Sequence, residues 1–188
     1  MKKSISFILA ATWEHKNHVL LLKAINYLNF SQNFRIKLFC TGHQTQHNVF
    51  LENTAKELEI DDLYVHLGVV EELELFSLYQ SAQLVVVPTL YEAGSFPLME
   101  SMLMGIPVIC SNVTSLPETI GNSHFVFDPH DHEKLGQLII EMLTHPEARK
   151  NNIENSMKMS NRLLSNNSLD IIDSIYSELS ESVKLQQD

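Results

Sequence analysis

Cysteine is nearly missing from this chain: Cys40 and Cys110 are the two it has, each closing a predicted buried strand, and neither has the neighbouring Cys or His spacing of a metal site. They read as free buried thiols in a reducing compartment. Positive charge is also scarce. Thirteen Lys and Arg stand against 23 Asp and Glu, a net charge of −10, and a surface that grips nucleic-acid phosphates needs clustered cations. An anionic ligand would therefore be held locally, by helix dipoles and a few lysines. No apolar run exceeds strand length. Lys2-Lys3 followed by Ile5 to Ala11 imitates a signal peptide only until Trp13-Glu14-His15-Lys16 ends it, and a cytoplasmic protein is expected. There is no Gly-x-Gly-x-x-Gly after the first strand and no acidic residue closing the second, which speaks against a nicotinamide or flavin enzyme. A Gly-x-Ser-x-Gly elbow and a His-Glu-x-x-His helix are missing as well.

What is present is an ordinary globular balance, 44% apolar and 19% charged over 188 residues, enough for one domain with a proper core. Its centre is Leu84 to Ser111. A β-branched run ending at Pro88, a small-residue loop, a helix with Pro97 in its first turn, a stop at Gly105 and a second apolar run make a strand-loop-helix-strand unit. Further strands are predicted at Ile5–Leu9, Arg35–Thr41, Leu63–Leu67 and Phe125–Phe127. The helix after the first strand is marked by Val19, Leu22, Ile25 and Leu28; others follow at Val49–Leu58 and Glu71–Gln80, the latter with Leu73, Phe76, Leu78 and Tyr79 mostly inward. Asp131 is expected to cap a helix reaching Leu143, and Pro146 to start another. The predicted fold is α/β: a Rossmann-like parallel six-stranded sheet with helices on both faces, a sheet core over about 5–145 and C-terminal helices over about 146–185. In the tail, Leu169, Ile172, Tyr176, Leu179 and Val183 form an apolar stripe.

The loop after Pro88 carries the chemistry. Glu92 precedes the central helix and Glu100 lies in its first turns, so both carboxylates can face the crevice above the strand ends, where open α/β sheets bind ligands. The amides of Gly94, Ser95 and Phe96 sit at the helix start, where unpaired N–H groups and the dipole favour a phosphate. A carboxylate accepts two hydrogen bonds side by side, so Glu100 suits a vicinal diol such as ribose and Glu92 suits sugar hydroxyls across a diphosphate.

Glu92 and Glu100, followed by Met102-Leu103-Met104-Gly105-Ile106-Pro107-Val108, resemble the paired-glutamate signature of retaining group 1 (family 4) glycosyltransferases, and the likeness runs from Phe7 to about Leu143. Such enzymes have two facing Rossmann-like lobes, the GT-B fold, and this chain resembles the C-terminal, donor-binding lobe without its N-terminal acceptor lobe. The resemblance implies transfer of a hexose-type sugar from a UDP- or GDP-linked donor to a glycan or lipid-linked acceptor, without a metal or other cofactor. It implies catalytic roles for Glu92 and Lys16, donor contacts from Glu100, Gly94, Ser95, Phe96 and Lys16, and a nucleobase near Val69 and Val70. Membrane association would come only through the acceptor lobe, at the cytoplasmic face. Many such lobes carry a Gly-Arg pair after the first strand. Here Ala10 and Ala11 stand in its place while Lys16 remains, which removes a charge-assisted contact worth about 1.5–3 kcal/mol.

Other candidates weigh less. His130-x-His132 with Asp128 and Asp131 reads as a solvated loop, not a ligand set. His15, His18 and His43 lie near the strand ends, Glu118 reads as a helix-start residue, and Met99, Met102 and Met104 read as core packing. Two alternatives come from the same architecture: a non-catalytic nucleotide-sugar-binding or assembly module, and an epimerase or phosphorylase lobe.

Overall fold

The computed structural model describes residues 3–6 and 12–165. Strands and helices alternate through most of that span: β1 (Lys3–Ser6), α1 (His18–Asn26), β2 (Ile36–Cys40), α2 (His47–Glu57), β3 (Tyr64–His66), α3 (Glu72–Ser81), β4 (Val85–Val87), α4 (Phe96–Leu103), β5 (Val108–Ser111), α5 (Leu116–Ile120), β6 (Val126–Phe127), α6 (His132–Thr144) and α7 (Pro146–Ser165). Every ladder is parallel, as βα alternation requires. The six strands form two sets of three, β1–β2–β3 and β4–β5–β6, with Leu38 opposite Tyr64 and Val86 opposite Ile109. Among the described residues no ladder joins the sets.

The core follows from the apolar runs. Val85, Val86, Val87 and all of β5 are buried on both faces, as strands covered by helices must be. α1 buries Leu20, Leu21, Leu22, Ala24 and Ile25, and α6 buries Leu135, Leu138, Ile139 and Met142. Asp131 does cap α6, its carboxylate accepting from the Lys134 amide at 2.9 Å. Both cysteines are free and buried; burial raises both thiols, Cys110 to about 12.

Three expectations change. Tyr79 is buried and Leu78 half-buried, but Leu73 is 82% exposed and Phe76 49%. At about 100° per residue, Leu75, Leu78, Tyr79 and Ala82 share the inner stripe, while Phe76 and Leu73 turn away from it. Met102 is core and half-buried Met104 packs against it, whereas Met99 is half-buried outside that cluster. β3 is also shorter than its apolar run, although Leu63 and Leu67 still bond β2 at either end: the Leu38 amide donates to the Leu63 carbonyl and the Leu67 amide to the Cys40 carbonyl, each at 2.8 Å. The stripe from Leu169 to Val183 lies outside the described residues.

The last described helix belongs to the lobe through its polar residues. Asn152, fully buried on α7, accepts from the Val108 amide at 2.9 Å and donates to the Val108 carbonyl at 2.8 Å, closing the start of β5 as another strand would. Asn155 donates to the Ile120 carbonyl at 2.7 Å, and Arg149 to the Gln83 carbonyl.

Candidate functional site

The site lies at the carboxyl ends of the strands, where the backbone leaves the layer and must find partners elsewhere. After β1 the chain makes a short 3-10 turn at Glu14–Lys16 and passes through Asn17 in the left-handed region, φ 57°, which Asn adopts more readily than most residues. The Asn17 amide group then donates to the Pro88 carbonyl at 3.0 Å and the Pro129 carbonyl at 2.9 Å. One side chain thus ties the β1–α1 loop to the ends of β4 and β6. The His15 carbonyl accepts from the Leu90 amide at 2.7 Å and the Thr89 hydroxyl at 2.9 Å, so Lys16 and the loop after β4 are held together from both sides.

Within that frame the Lys16 ammonium donates to Glu92 Oε1 at 2.8 Å, the two side chains only 12% and 14% exposed. Two residues that the resemblance assigns to catalysis therefore form one ion pair. The ammonium has three N–H groups and Glu92 takes one, leaving two for an anion. The loop is propped from below: Thr114, at φ 48°, donates to the Glu92 carbonyl, and Ser115 to the Ala93 carbonyl at 2.8 Å.

Ser95 caps α4, its hydroxyl accepting from the Leu98 amide at 3.4 Å and its carbonyl from Met99 at 3.0 Å. Pro97 has no N–H, so the helix start offers the amides of Gly94, Ser95 and Phe96, which find no acceptor among the described residues. A Cβ built on Gly94 meets nothing within 4 Å. The glycine fills no packing role, and the space beside its backbone is open.

Glu100 is half-buried on α4 and accepts a 2.6 Å hydrogen bond on Oε2 from the Tyr79 hydroxyl. Burial first, then that bond and the nearby carboxylate, raises the Tyr79 phenol well above its ordinary value, so it stays a donor. One oxygen of Glu100 is thus engaged, and Oε1 is left for a ligand hydroxyl.

Val69 and Val70 are brought to a different place. With Leu67, Leu73, Glu74, Ser77, Leu78 and Ser81 they line a groove of about 600 Å³ along α3. A larger cleft of about 950 Å³ opens beside Lys16, lined by Trp13, Glu14, His15, His43, Gln44, Thr45, Gln46, His47 and Leu90. His18 lies buried, with neither ring nitrogen hydrogen-bonded among the described residues. Its burial, then the charges of His66, His47 and Lys16, lower its pKa to about 3. Among the described residues no group of three or more His, Cys, Asp or Glu is arranged to hold a metal ion. Near His132, Asp128 accepts from the His130 amide at 2.8 Å, shaping its own turn.

Asn17, Tyr79, Thr114 and Ser115 were not singled out as site residues by sequence reasoning. Asn17 beside Lys16 was the one legible hint, as a residue suited to a left-handed turn.

A Rossmann-like α/β lobe whose strand ends carry a lysine–glutamate pair, a second anchored glutamate and a small-residue loop at a helix start has the make-up of one half of a GT-B glycosyltransferase. The chain belongs to the family of glycosyl transferases group 1, whose sequence model matches residues 1–159. It is 34% identical over 135 residues to the O-antigen chain mannosyltransferase B of Escherichia coli, covering 72% of this chain and 35% of that protein. The chain therefore corresponds to about a third of that curated relative. Among solved structures it resembles the catalytic domain of cholesterol-alpha-glucosyltransferase from Helicobacter pylori, with a TM-score of 0.72 at 18% identity over 85% of this chain and 98% of that one. The C-terminal domain of the group 1 glycosyl transferase LpcC from Francisella tularensis gives a TM-score of 0.72 at 17% identity, covering 85% of each chain. These likenesses establish the GT-B-type lobe fold.

Proposed function

We propose that this lobe binds the donor of a retaining glycosyltransferase, a hexose-type sugar on UDP or GDP, for transfer to a glycan or lipid-linked acceptor presented by an N-terminal lobe at the cytoplasmic face of a membrane. The supporting observation is the Lys16–Glu92 pair next to the open amides of Gly94, Ser95 and Phe96. As the glycosidic bond breaks, charge develops on the departing diphosphate, and the free ammonium donors with these amides stabilise it without reorganising. Glu92, already fixed by Lys16, orients the sugar hydroxyls. Glu100 takes the ribose, and the backbone at Val69 and Val70 meets the base. The sugar named for the Escherichia coli relative makes mannose, on GDP or on UDP, the first donor sugar to test.

Titration calorimetry with UDP, GDP and their sugars tests this. Glu100→Ala is expected to weaken nucleotide binding about tenfold or more, the worth of one charge-assisted hydrogen bond. Glu92→Gln is expected to leave nucleotide affinity nearly intact and remove the sugar's added contribution. Unchanged nucleotide affinity in the Glu100 variant would reject the ribose assignment.

A further inference from the structure

The cleft beside Lys16 contains the chain's sole tryptophan, and the donor reading does not use it. Trp13 is 55% exposed although it is the largest apolar side chain present. A ring left open on a folded surface leaves apolar area uncovered, and such area at a concave site marks where something binds. The surrounding loops do not collapse onto it because they are cross-linked. The Thr12 amide donates to the His43 carbonyl at 3.0 Å, the Thr45 amide to the Thr12 hydroxyl at 2.8 Å, and the Thr45 hydroxyl to the Thr12 carbonyl at 2.7 Å. His47 is backed by Phe50, ring centroids 5.1 Å apart. The exposed ring is therefore rimmed by the exposed side chains of His15, His43, Gln44 and Gln46, the Gln44 amide nitrogen also bonding His66 Nδ1 at 3.2 Å and leaving its oxygen open.

We propose that Trp13 and this rim form a saccharide platform that holds the acceptor glycan against the donor lobe, resting on the donor reading for where the transferred sugar lies. A pyranose has one face of C–H bonds and a rim of hydroxyls. The first matches an aromatic face and the second matches amide and imidazole groups that both donate and accept. Position supports the same occupant. His15 precedes Lys16, Leu90 lies two residues before Glu92, both line the cleft, and the Leu90 amide donates to the His15 carbonyl at 2.7 Å, so a glycan on Trp13 lies beside the loops that carry the Lys16–Glu92 pair. A nucleobase would also stack on tryptophan. Its diphosphate, however, is assigned to the amides at the start of α4, and the base of the same molecule is directed toward Val69 and Val70.

Because Trp13 is the only tryptophan, its fluorescence reads the site directly. Titration of the full chain with α-mannotriose is expected to shift and quench the emission saturably, while sorbitol, with hydroxyls but no ring, leaves it unchanged. The Gln44→Ala/Gln46→Ala double variant, checked for an unchanged melting temperature, is expected to weaken the response about tenfold, two lost hydrogen bonds. Trp13→Ala is expected to leave GDP and UDP affinity unchanged by calorimetry. Emission that stays flat through tens of millimolar trisaccharide, or that responds to GDP or UDP and not to the trisaccharide, overturns the platform. Nucleotide binding retained alongside a silent Trp13 rejects the platform alone; loss of nucleotide binding rejects the donor reading, while a saturable saccharide response still upholds a glycan site.

Discussion

Lys16 and Glu92 show how little a local pattern needs to say for a site to form. Each was legible in the sequence as a separate residue, but their 2.8 Å pairing spans 76 positions and follows from the loop geometry that Asn17 enforces. Replacing Asn17 with Leu removes two long-range hydrogen bonds and puts a branched side chain in the left-handed region. Stability is expected to fall by about 2–3 kcal/mol, read by urea denaturation, with weaker nucleotide binding as the loop loosens. Tyr79 was read as core packing, and it is buried, but its hydroxyl also orients Glu100. Tyr79→Phe keeps the ring and releases the carboxylate. The expected outcome is a fold within about 1 kcal/mol of the parent, since the half-buried Glu100 carboxylate can bond water instead, and a reduced preference for ribonucleotides over 2′,3′-dideoxynucleotides. An unchanged preference would mean that the bond does not serve the ribose. Hydrogen bonds between distant residues leave no periodicity, which is why the partners of Asn17 and Tyr79 cannot be read from sequence while the paired glutamates can.

At the scale of elements, helix and strand order was readable because alternating apolar runs and cap residues are local signals. Asp131, Pro97 and Pro146 each start a helix where expected. The inner face of α3 was misjudged because several apolar residues were offered and only tertiary packing chose among them. α7 is the helix expected to begin at Pro146, and what the sequence does not show is that Asn152 and Asn155 bond it to β5 and α5. The start of α1 carries a pH dependence. His18 has a folded pKa of about 3 against an ordinary value near 6.5. Above pH 6.5 both folded and unfolded states hold the ring neutral. Below it the unfolded chain takes up a proton that the folded chain refuses until about pH 3, so stability falls as pH drops, by about 2 kcal/mol at pH 5. His18→Leu is expected to flatten this part of a melting-temperature profile and to cost little at neutral pH, because both ring nitrogens lack a hydrogen-bond partner among the described residues. Gly121→Ala acts in the opposite sense. At φ 68°, with a new Cβ only 2.6 Å from Met159, it is expected to lower the melting temperature at every pH.

Across the whole molecule, a chain of net charge −10 is assigned an anionic ligand. That combination works only if binding is local: two spare N–H groups on one lysine and three open amides at a helix start, with Glu92 paired to that lysine. The fold class, and the place of Glu92, Gly94 and Ser95 between β4 and the start of α4 at Phe96, could both be read from the sequence, because they rest on the strand-loop-helix unit from Leu84 to Ser111. The cleft around Trp13 could not, since it is made by two loops that meet only after β1 and β2 align. The most direct test of the central assignment is amide chemical-shift mapping with isotope-labelled protein as GDP or UDP is added. The account expects the largest shifts at Gly94, Ser95 and Phe96, with smaller ones around Lys16 and Glu100 and, from the base, at Val69 and Val70. Shifts confined to the α3 groove, or no change at those three amides at saturating nucleotide, would contradict it.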